Sequence, residues 1–280
     1  MIIVADSGST KTEWILEDLS VTTRGINPVR DTLDEILDVL HTELMPQIIS
    51  IQKNLYSVSP TDIFFYGAGC IEPFNLNVHH ALKELFPNTE IHVNSDLLGA
   101  ARALCGKEEG IACILGTGSN SCLCQGGKIV QNTSPMGYIL GDEGSGAVLG
   151  RMLLSEMFKG GLKDLWPSFQ SQFKLEISDI INKVYRQPQA NRFLASLVPF
   201  LKEHRHNLCV QEMLVGEFTR FLKRNVIPYN RSDLPVNFVG GVANNFSEEI
   251  RTACEICGLK YGKTIALPAQ EIWKYHLYVI

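Results

Sequence analysis

The 280-residue sequence has no uninterrupted apolar run of about 18 residues, so nothing in it reads as a membrane span. It has no surplus of positive charge either. Lys and Arg number 25 against 30 Asp and Glu, a net charge of −5, which argues against a general binder of nucleic-acid phosphates. The chain opens Met1-Ile2-Ile3-Val4-Ala5-Asp6 without the basic segment and long apolar stretch of a secretory leader, so the expected compartment is the cytoplasm. Its 8 cysteines are scattered through apolar segments, and in a reducing compartment they are expected to be free thiols. The Asn-x-Ser/Thr triplets at Asn132, Asn230 and Asn245 have no glycosylation meaning there. Low-complexity segments are missing too. With 45% hydrophobic and 20% charged residues the composition is that of a folded protein, and the length allows two cores.

The hydrophobic pattern starts with strands over 2–5, 11–17 and 21–24, with a turn at Asp18-Leu19-Ser20. A helix is predicted over 31–53 from Leu33, Ile36, Leu37, Leu40, Leu44 and Ile48, with Asp31 or Thr32 as its N-cap. A strand at 63–66 runs into Gly67-Ala68-Gly69. A helix over 74–86 is stopped by Pro87, and a strand at 91–93 leads through Asn94-Ser95-Asp96 into a helix over 97–104. Strands alternating with helices require crossovers, hence an α/β fold with a partly parallel sheet.

The pattern then restarts. A strand at 111–115 is followed by the turn Gly116-Thr117-Gly118-Ser119, a strand at 121–125, a Gly126-Gly127 hairpin turn and a strand at 128–132. Offset by 110, Val4-Ala5-Asp6-Ser7-Gly8-Ser9 lies over Ile114-Leu115-Gly116-Thr117-Gly118-Ser119. This internal repeat implies two domains of one topology, 1–107 and 108–280, the second with a helical insertion at about 147–230. In that insertion Leu194, Leu197, Val198 and Leu201 form one apolar stripe. A strand at 236–239, a helix at 247–257, a strand at 264–267 and a helix at 269–279 follow.

A glycine turn after a strand is ordinarily just a turn. Two at matching places in a repeat suit phosphate oxygens, because glycine admits an anion close to converging N–H groups. Gly8, Ser9, Thr10 and Lys11 form one candidate loop, and Thr117, Gly118 and Ser119 the other. Asp6 ends the first strand and is the candidate ligand of Mg²⁺, which prefers oxygen and keeps several waters. Asp96 reads either as a helix N-cap or as a general base that accepts a hydroxyl proton, with the helix terminus holding it ionised. The acid- and glycine-rich run Gly137 to Gly146, with Asp142 and Glu143, suits sugar hydroxyls and lacks the alternating Asp/Asn pattern of a Ca²⁺ loop. Gly240-Gly241-Val242-Ala243 ends a strand and is a candidate adenosine site.

Weaker signals are set aside. The run from Gly258 to Thr264 misses P-loop spacing by one residue. Cys254/Cys257 and Cys122/Cys124 read as packing cysteines, and His79, His80, His204 and His206 as surface or packing residues.

Taken in order, Asp6-x-Gly8-x-Thr10-Lys11-Thr12, Asn94-Ser95-Asp96, Gly116 to Asn120, Gly141 to Ser145 and Gly240 to Ala243 resemble the N-acetylglucosamine kinases. These belong to the BadF/BadG/BcrA/BcrD ATPase family of the actin/hexokinase superfamily, and the resemblance covers nearly the whole chain. It implies two ribonuclease-H-like domains and an ATP- and Mg²⁺-dependent kinase acting on an amino sugar, at the C6 hydroxyl. Asp96 would be the catalytic base, Asp6 the magnesium-side carboxylate, and Asn27, Asn120, Gly137 and Asp142 the sugar ligands. Met136 stands where the animal enzymes carry Trp, which leaves N-acetylglucosamine, N-acetylmuramic acid and glucosamine open. The implied partners are the sugar and ATP, with no nucleic acid and no membrane, and with a homodimer allowed. Two other readings share the fold: an ATPase activator of a 2-hydroxyacyl-CoA dehydratase or benzoyl-CoA reductase system, and a non-catalytic sugar sensor.

Overall fold

A computed structural model describes residues 1–17, 19–52 and 60–279. Asp18, where a turn is predicted, and the last residue of the helix predicted over 31–53 lie outside these. The chain forms two compact units. The first comprises Met1–Glu108, Gly126–Lys128 and Leu267–Ile280, and the second Glu109–Gln125 and Ile129–Ala266.

In the first unit, β1 (Ile2–Ser7), β2 (Lys11–Leu16) and β3 (Leu19–Arg24) form an antiparallel meander. Next come α1 (Leu33–Val39), a π-helical turn at Leu40–Leu44 and α2 (Met45–Gln52). Thr32 is the N-cap: its hydroxyl accepts from Glu35 N–H while the Glu35 carboxylate accepts from Thr32 N–H. Then β4 (Asp62–Gly67), α3 (Asn75–Leu85), β5 (Glu90–Ser95) and α4 (Asp96–Cys105) complete the alternation. The sheet order is β3-β2-β1-β4-β5, with β1, β4 and β5 parallel.

Parallel central strands are covered on both faces and so read as unbroken apolar runs. In β4, Ile63 and Phe65 face a core with Trp14, Ile36, Val39, Val78 and Leu82. Phe64 and Tyr66 point the other way, toward Val4, Ala103 and Ile272.

The second unit repeats this plan. β6 (Gly110–Leu115), β7 (Ser119–Gln125) and β8 (Lys128–Thr133) form the meander, and Gly126 and Gly127, both at positive φ, make the turn between the last two. β9 (Pro235–Val239) and β10 (Lys260–Ile265) complete the order β10-β9-β6-β7-β8, the same winding read from the other edge. Between β8 and β9 lie α5 (Gly137–Leu140), α6 (Gly146–Lys159), α7 (Trp166–Phe173), α8 (Ile177–Tyr185), α9 (Ala190–Ala195), α10 (Val198–Glu203) and α11 (Leu208–Phe221). The predicted apolar stripe runs from Leu194 in α9 through Leu197, the N-cap of α10, to Val198 and Leu201 in α10, and all four residues are buried. Short α12 (Gly241–Asn245) and α13 (Ser247–Ile256) follow β9.

Two expectations are corrected. The last strand is Lys260–Ile265, not 264–267, because it is a sheet edge with no apolar alternation to mark it. The final helix, α14 (Ala269–Val279), packs in the first unit rather than closing the second. Ile272 is fully buried there with Val4, Phe64 and Tyr66.

Candidate active site

In the first unit Asp6, Asp96 and the loop after β1, the candidate site residues, lie at the C-terminal ends of β1 and β5. The loop after β1 is braced from below. Ser7 Oγ and Thr12 Oγ1 lie 2.7 Å apart, and Ser7 Oγ both donates to Ile26 O and accepts Ile26 N–H. Gly8 N–H donates to Lys11 O at 3.0 Å, and Gly25 N–H to Thr10 O at 2.9 Å. Gly25 is required here, because a Cβ would run into the Gly8 carbonyl. Sequence reasoning passed over Gly25. Gly8, Thr10 and Lys11 are exposed, so the loop offers hydroxyls, N–H groups and an ammonium to solvent.

Asp6 sits at the base of this loop. Burial, then Asp96, then Glu13 push its carboxyl up to about 7, with Lys11 opposing. Asp96 is the first residue of α4 but not its cap. Ser95 Oγ accepts Leu98 N–H, whereas Asp96 Oδ1 accepts Leu97 N–H at 2.8 Å. The cap reading of Asp96 is therefore displaced by one residue. The expectation that the helix terminus holds it ionised is also corrected, since burial outweighs the Leu97 N–H and raises its pKa. Cys70 lies close enough to feel this charge, and burial first, Asp96 second, push its thiol up to about 12.

Asn27 follows β3. Its backbone N–H donates to Asp31 at 2.7 Å, and its Oδ1 accepts Val29 N–H at 3.1 Å. With the oxygen so engaged, a ligand would meet the Nδ2 donors. Gly69, at φ +80°, lies where a Cβ would strike this carboxamide.

In the second unit the loop between β6 and β7 is closed by Gly116 N–H to Gly118 O, 2.9 Å. It is propped by α6: Gly146 N–H and Ala147 N–H donate to Gly116 O and Thr117 O, and Ser145 Oγ caps Val148 N–H. The helix terminus thus spends its donors on the loop. Among the described residues, the loop's own bonds do not use the N–H groups of Thr117 or Gly118. Ser119 is buried and starts β7.

Asn120 follows on β7, and its Oδ1 accepts from both Ser121 N–H and Asn132 Nδ2, each at 2.9 Å. Asn132 also donates to Ser121 O at 2.6 Å. Sequence reasoning missed Asn132 except as a meaningless triplet, and nothing at sequence level signals this pairing.

Asp142 is buried, at φ +51°, and its Oδ2 lies 3.0 Å from where a Gly118 Cβ would stand. Burial pushes its carboxyl up to about 6, with Gly137 N–H opposing and Glu143 adding to the rise. Gly137 itself is exposed, at φ +73°, behind the exposed, left-handed Met136. Glu143 is turned inward: Arg224 Nε meets it at 2.7 Å and Asn225 Nδ2 donates to it at 3.2 Å. Glu217 accepts Gly144 N–H at 3.0 Å. The acidic pair beside Asp142 therefore holds the loop, and among the described residues Asp142 has no ion-pair partner.

Gly240, at φ +115°, passes so close to the Leu115 carbonyl that a Cβ would strike it, whereas Gly241 faces open space. Val242 and Ala243 bury their side chains in the core of the second unit, so a ligand at this turn would meet backbone.

The duplicated 3-2-1-4-5 sheet, each copy with a glycine-bearing loop after its first strand, is the two-domain ATPase fold of the actin/hexokinase superfamily. No protein-family model matches the chain, and no curated protein does. Among solved structures, a Porphyromonas gingivalis protein provisionally named N-acetylglucosamine kinase is 44% identical, covers 99% of this chain and 98% of its own, and superposes with a TM-score of 0.93. The chain belongs to this N-acetylglucosamine-kinase-like family. A Chromobacterium violaceum protein of the same provisional name shares the fold at 15% identity and a TM-score of 0.69, covering 98% of each chain. The Clostridium difficile activator of 2-hydroxyisocaproyl-CoA dehydratase shares it at 13% identity and a TM-score of 0.50, covering 99% of this chain and 94% of its own.

Proposed function

We propose that the protein is an ATP-dependent sugar kinase that phosphorylates an amino sugar such as N-acetylglucosamine at its C6 hydroxyl. The observation that carries this reading is 44% identity across 99% of the chain to the P. gingivalis protein, joined to an Asp96 that is free of capping duty. Asp96 accepts the proton of the attacking hydroxyl. The sugar oxygen bonds to the γ-phosphorus as the bond to the bridging oxygen breaks, leaving the sugar phosphate and ADP. A base whose pKa is raised toward the working pH accepts a proton with more driving force than an ordinary carboxylate.

Gly8, Ser9, Thr10 and Lys11 in one unit and Thr117, Gly118 and Ser119 in the other are assigned to phosphate oxygens. Gly240, Gly241, Val242 and Ala243 are assigned to the adenosine, the last two through backbone. Asn27 and Asn120 donate to the sugar, and Asp142 accepts from it beside Gly137. The donor set fits magnesium: burial, Asp96 and Glu13 make Asp6 costly to ionise, and a divalent cation would relieve that cost. Asp6 would hold the ion, through water, and the ion supplies neutralisation of phosphate charge.

The test is Asp96→Asn. It should leave ATP affinity within about twofold and lower kcat for the sugar by roughly 10²-fold or more. A coupled ADP-release assay over a panel of amino sugars reads both substrate and rate. Unchanged kcat removes the base assignment.

A further inference from the structure

The first unit carries a cleft on the face of its sheet toward which Phe64 and Tyr66 point. It has a volume of about 380 Å³ and is lined by Phe64, His92, Asn94, Arg102, Tyr275 and His276, with Val93. That is within the size range of small-molecule sites. Its walls are built rather than incidental. Phe64 is stacked between His92, at 4.5 Å and 9°, and His276, at 3.6 Å and 14°. Arg102 lies 5.7 Å from the Tyr66 ring and 5.3 Å from the Tyr275 ring, so its guanidinium plane is held by aromatics.

The charge in this cleft is one-sided. Arg102 donates through Nη1 to Tyr66 Oη and through Nε to Gly127 O at 3.4 Å, both uncharged acceptors. Among the described residues no carboxylate pairs with it. The nearby acid, Asp62, is occupied by His92, whose Nε2 lies 3.1 Å from Asp62 Oδ1. His276 is buried and shares Tyr66 Oη at 2.8 Å. Tyr66 Oη thus accepts from Arg102 and shares a hydrogen bond with His276 Nε2. The remaining guanidinium N–H groups, in a fork suited to two oxygens, face a cleft whose other polar linings are Asn94 and imidazoles.

We propose that this cleft is a binding site for a small molecule bearing an oxyanion, a carboxylate or a phosphate. Arg102 makes a forked contact to the anion, Asn94 donates beside it, and the ligand's remainder lies against Tyr275. The site is independent of the sugar-kinase reading and stands or falls without it.

The test follows the His92 and His276 ring signals by NMR while acetate or methyl phosphate is titrated into the full-length protein. The wild type should show saturable shifts of these rings with one or both anions. Saturation by acetate alone identifies a carboxylate ligand, and saturation by methyl phosphate alone a phosphoryl ligand. Arg102→Met, which keeps the aliphatic stem, should weaken the response at least tenfold. Arg102→Lys, which keeps charge and length, should weaken it severalfold by losing the fork, and it serves as the variant if Arg102→Met does not fold. Lack of saturation with both anions, or equal titrations in wild type and both variants, overturns the proposal.

Discussion

At the scale of single residues, what decides the chemistry is which atom of a polar side chain is already committed. Asn120 shows this. Its Oδ1 accepts two bonds, which fixes the carboxamide with Nδ2 on its other side. If Asn120 holds the sugar as proposed, Asn132 is a positioning residue for that contact. A neutral hydrogen bond of this kind is worth about 1 kcal/mol. Asn132→Ala should raise KM for the sugar roughly three- to tenfold, with KM for ATP and the melting temperature unchanged. Asn132→Asp should be no better, because it places an acceptor against the Asn120 acceptor. Steady-state kinetics with each substrate varied separates this from a general loss of structure. An unchanged sugar KM in both variants rules the role out. Asp96 belongs to the same scale. The sequence read Asp96 as cap or base, and the fold shows that Ser95 caps α4 instead.

At the scale of elements, the repeat was legible because it is written twice in local chemistry: apolar strand, glycine loop, alternating strand. The supports of the second loop were not legible, because they come from α6, whose N–H groups meet Gly116 and Thr117 from across the sequence. α6 must in turn lie close to α9, and Gly150 is the point of contact. A Cβ there would run into the Leu194 carbonyl and lie 2.6 Å from its carbon, with backbone on the receiving side. Two effects oppose each other in Gly150→Ala. Helix propensity favours Ala by about 1 kcal/mol. Overpacking against an immovable carbonyl costs roughly 1–3 kcal/mol or more. The second should win, and denaturant unfolding of this variant should show a net loss, with the second unit's helices the first to melt by circular dichroism. A gain in stability would mean that α9 can shift aside. The edge strand Lys260–Ile265 marks the other limit of legibility. With one face exposed and Gly262 and Lys263 in its middle, it has no period to read.

At the scale of the whole molecule, the chain's return to the first unit was the largest feature hidden from the sequence. The apolar face of α14 is visible in its spacing, but periodicity names a buried face and not the surface that buries it. Its docking brings His276 under the first sheet, and this gives the molecule an acid-sensitive seam. His276 is packed on Phe64, bonded to Tyr66 Oη, and faced by Arg102, His92, Asp62 and Tyr275. Burial first, then Arg102 and His92, lower its pKa to about 4, with Asp62 opposing. The sign follows from linkage. An unfolded chain protonates this imidazole near its ordinary 6.5, whereas the folded one resists until about 4. Below 6.5 the unfolded state therefore binds more protons, and stability falls as pH drops through that window. A shift of this size corresponds to roughly 3 kcal/mol at the acid end. Asp6 and Asp142 act in the opposite sense: their raised carboxyls, at about 7 and about 6, bind protons more readily when folded and gain stability as pH falls. Comparing wild type with His276→Gln cancels those carboxylates and isolates the histidine, since a Gln carboxamide can still hydrogen-bond Tyr66 Oη. Between pH 6.5 and 4 the wild type should lose roughly 3 kcal/mol more than the variant in denaturant unfolding. Parallel pH profiles for the two proteins would show that the seam made by α14 is not where acid enters the fold.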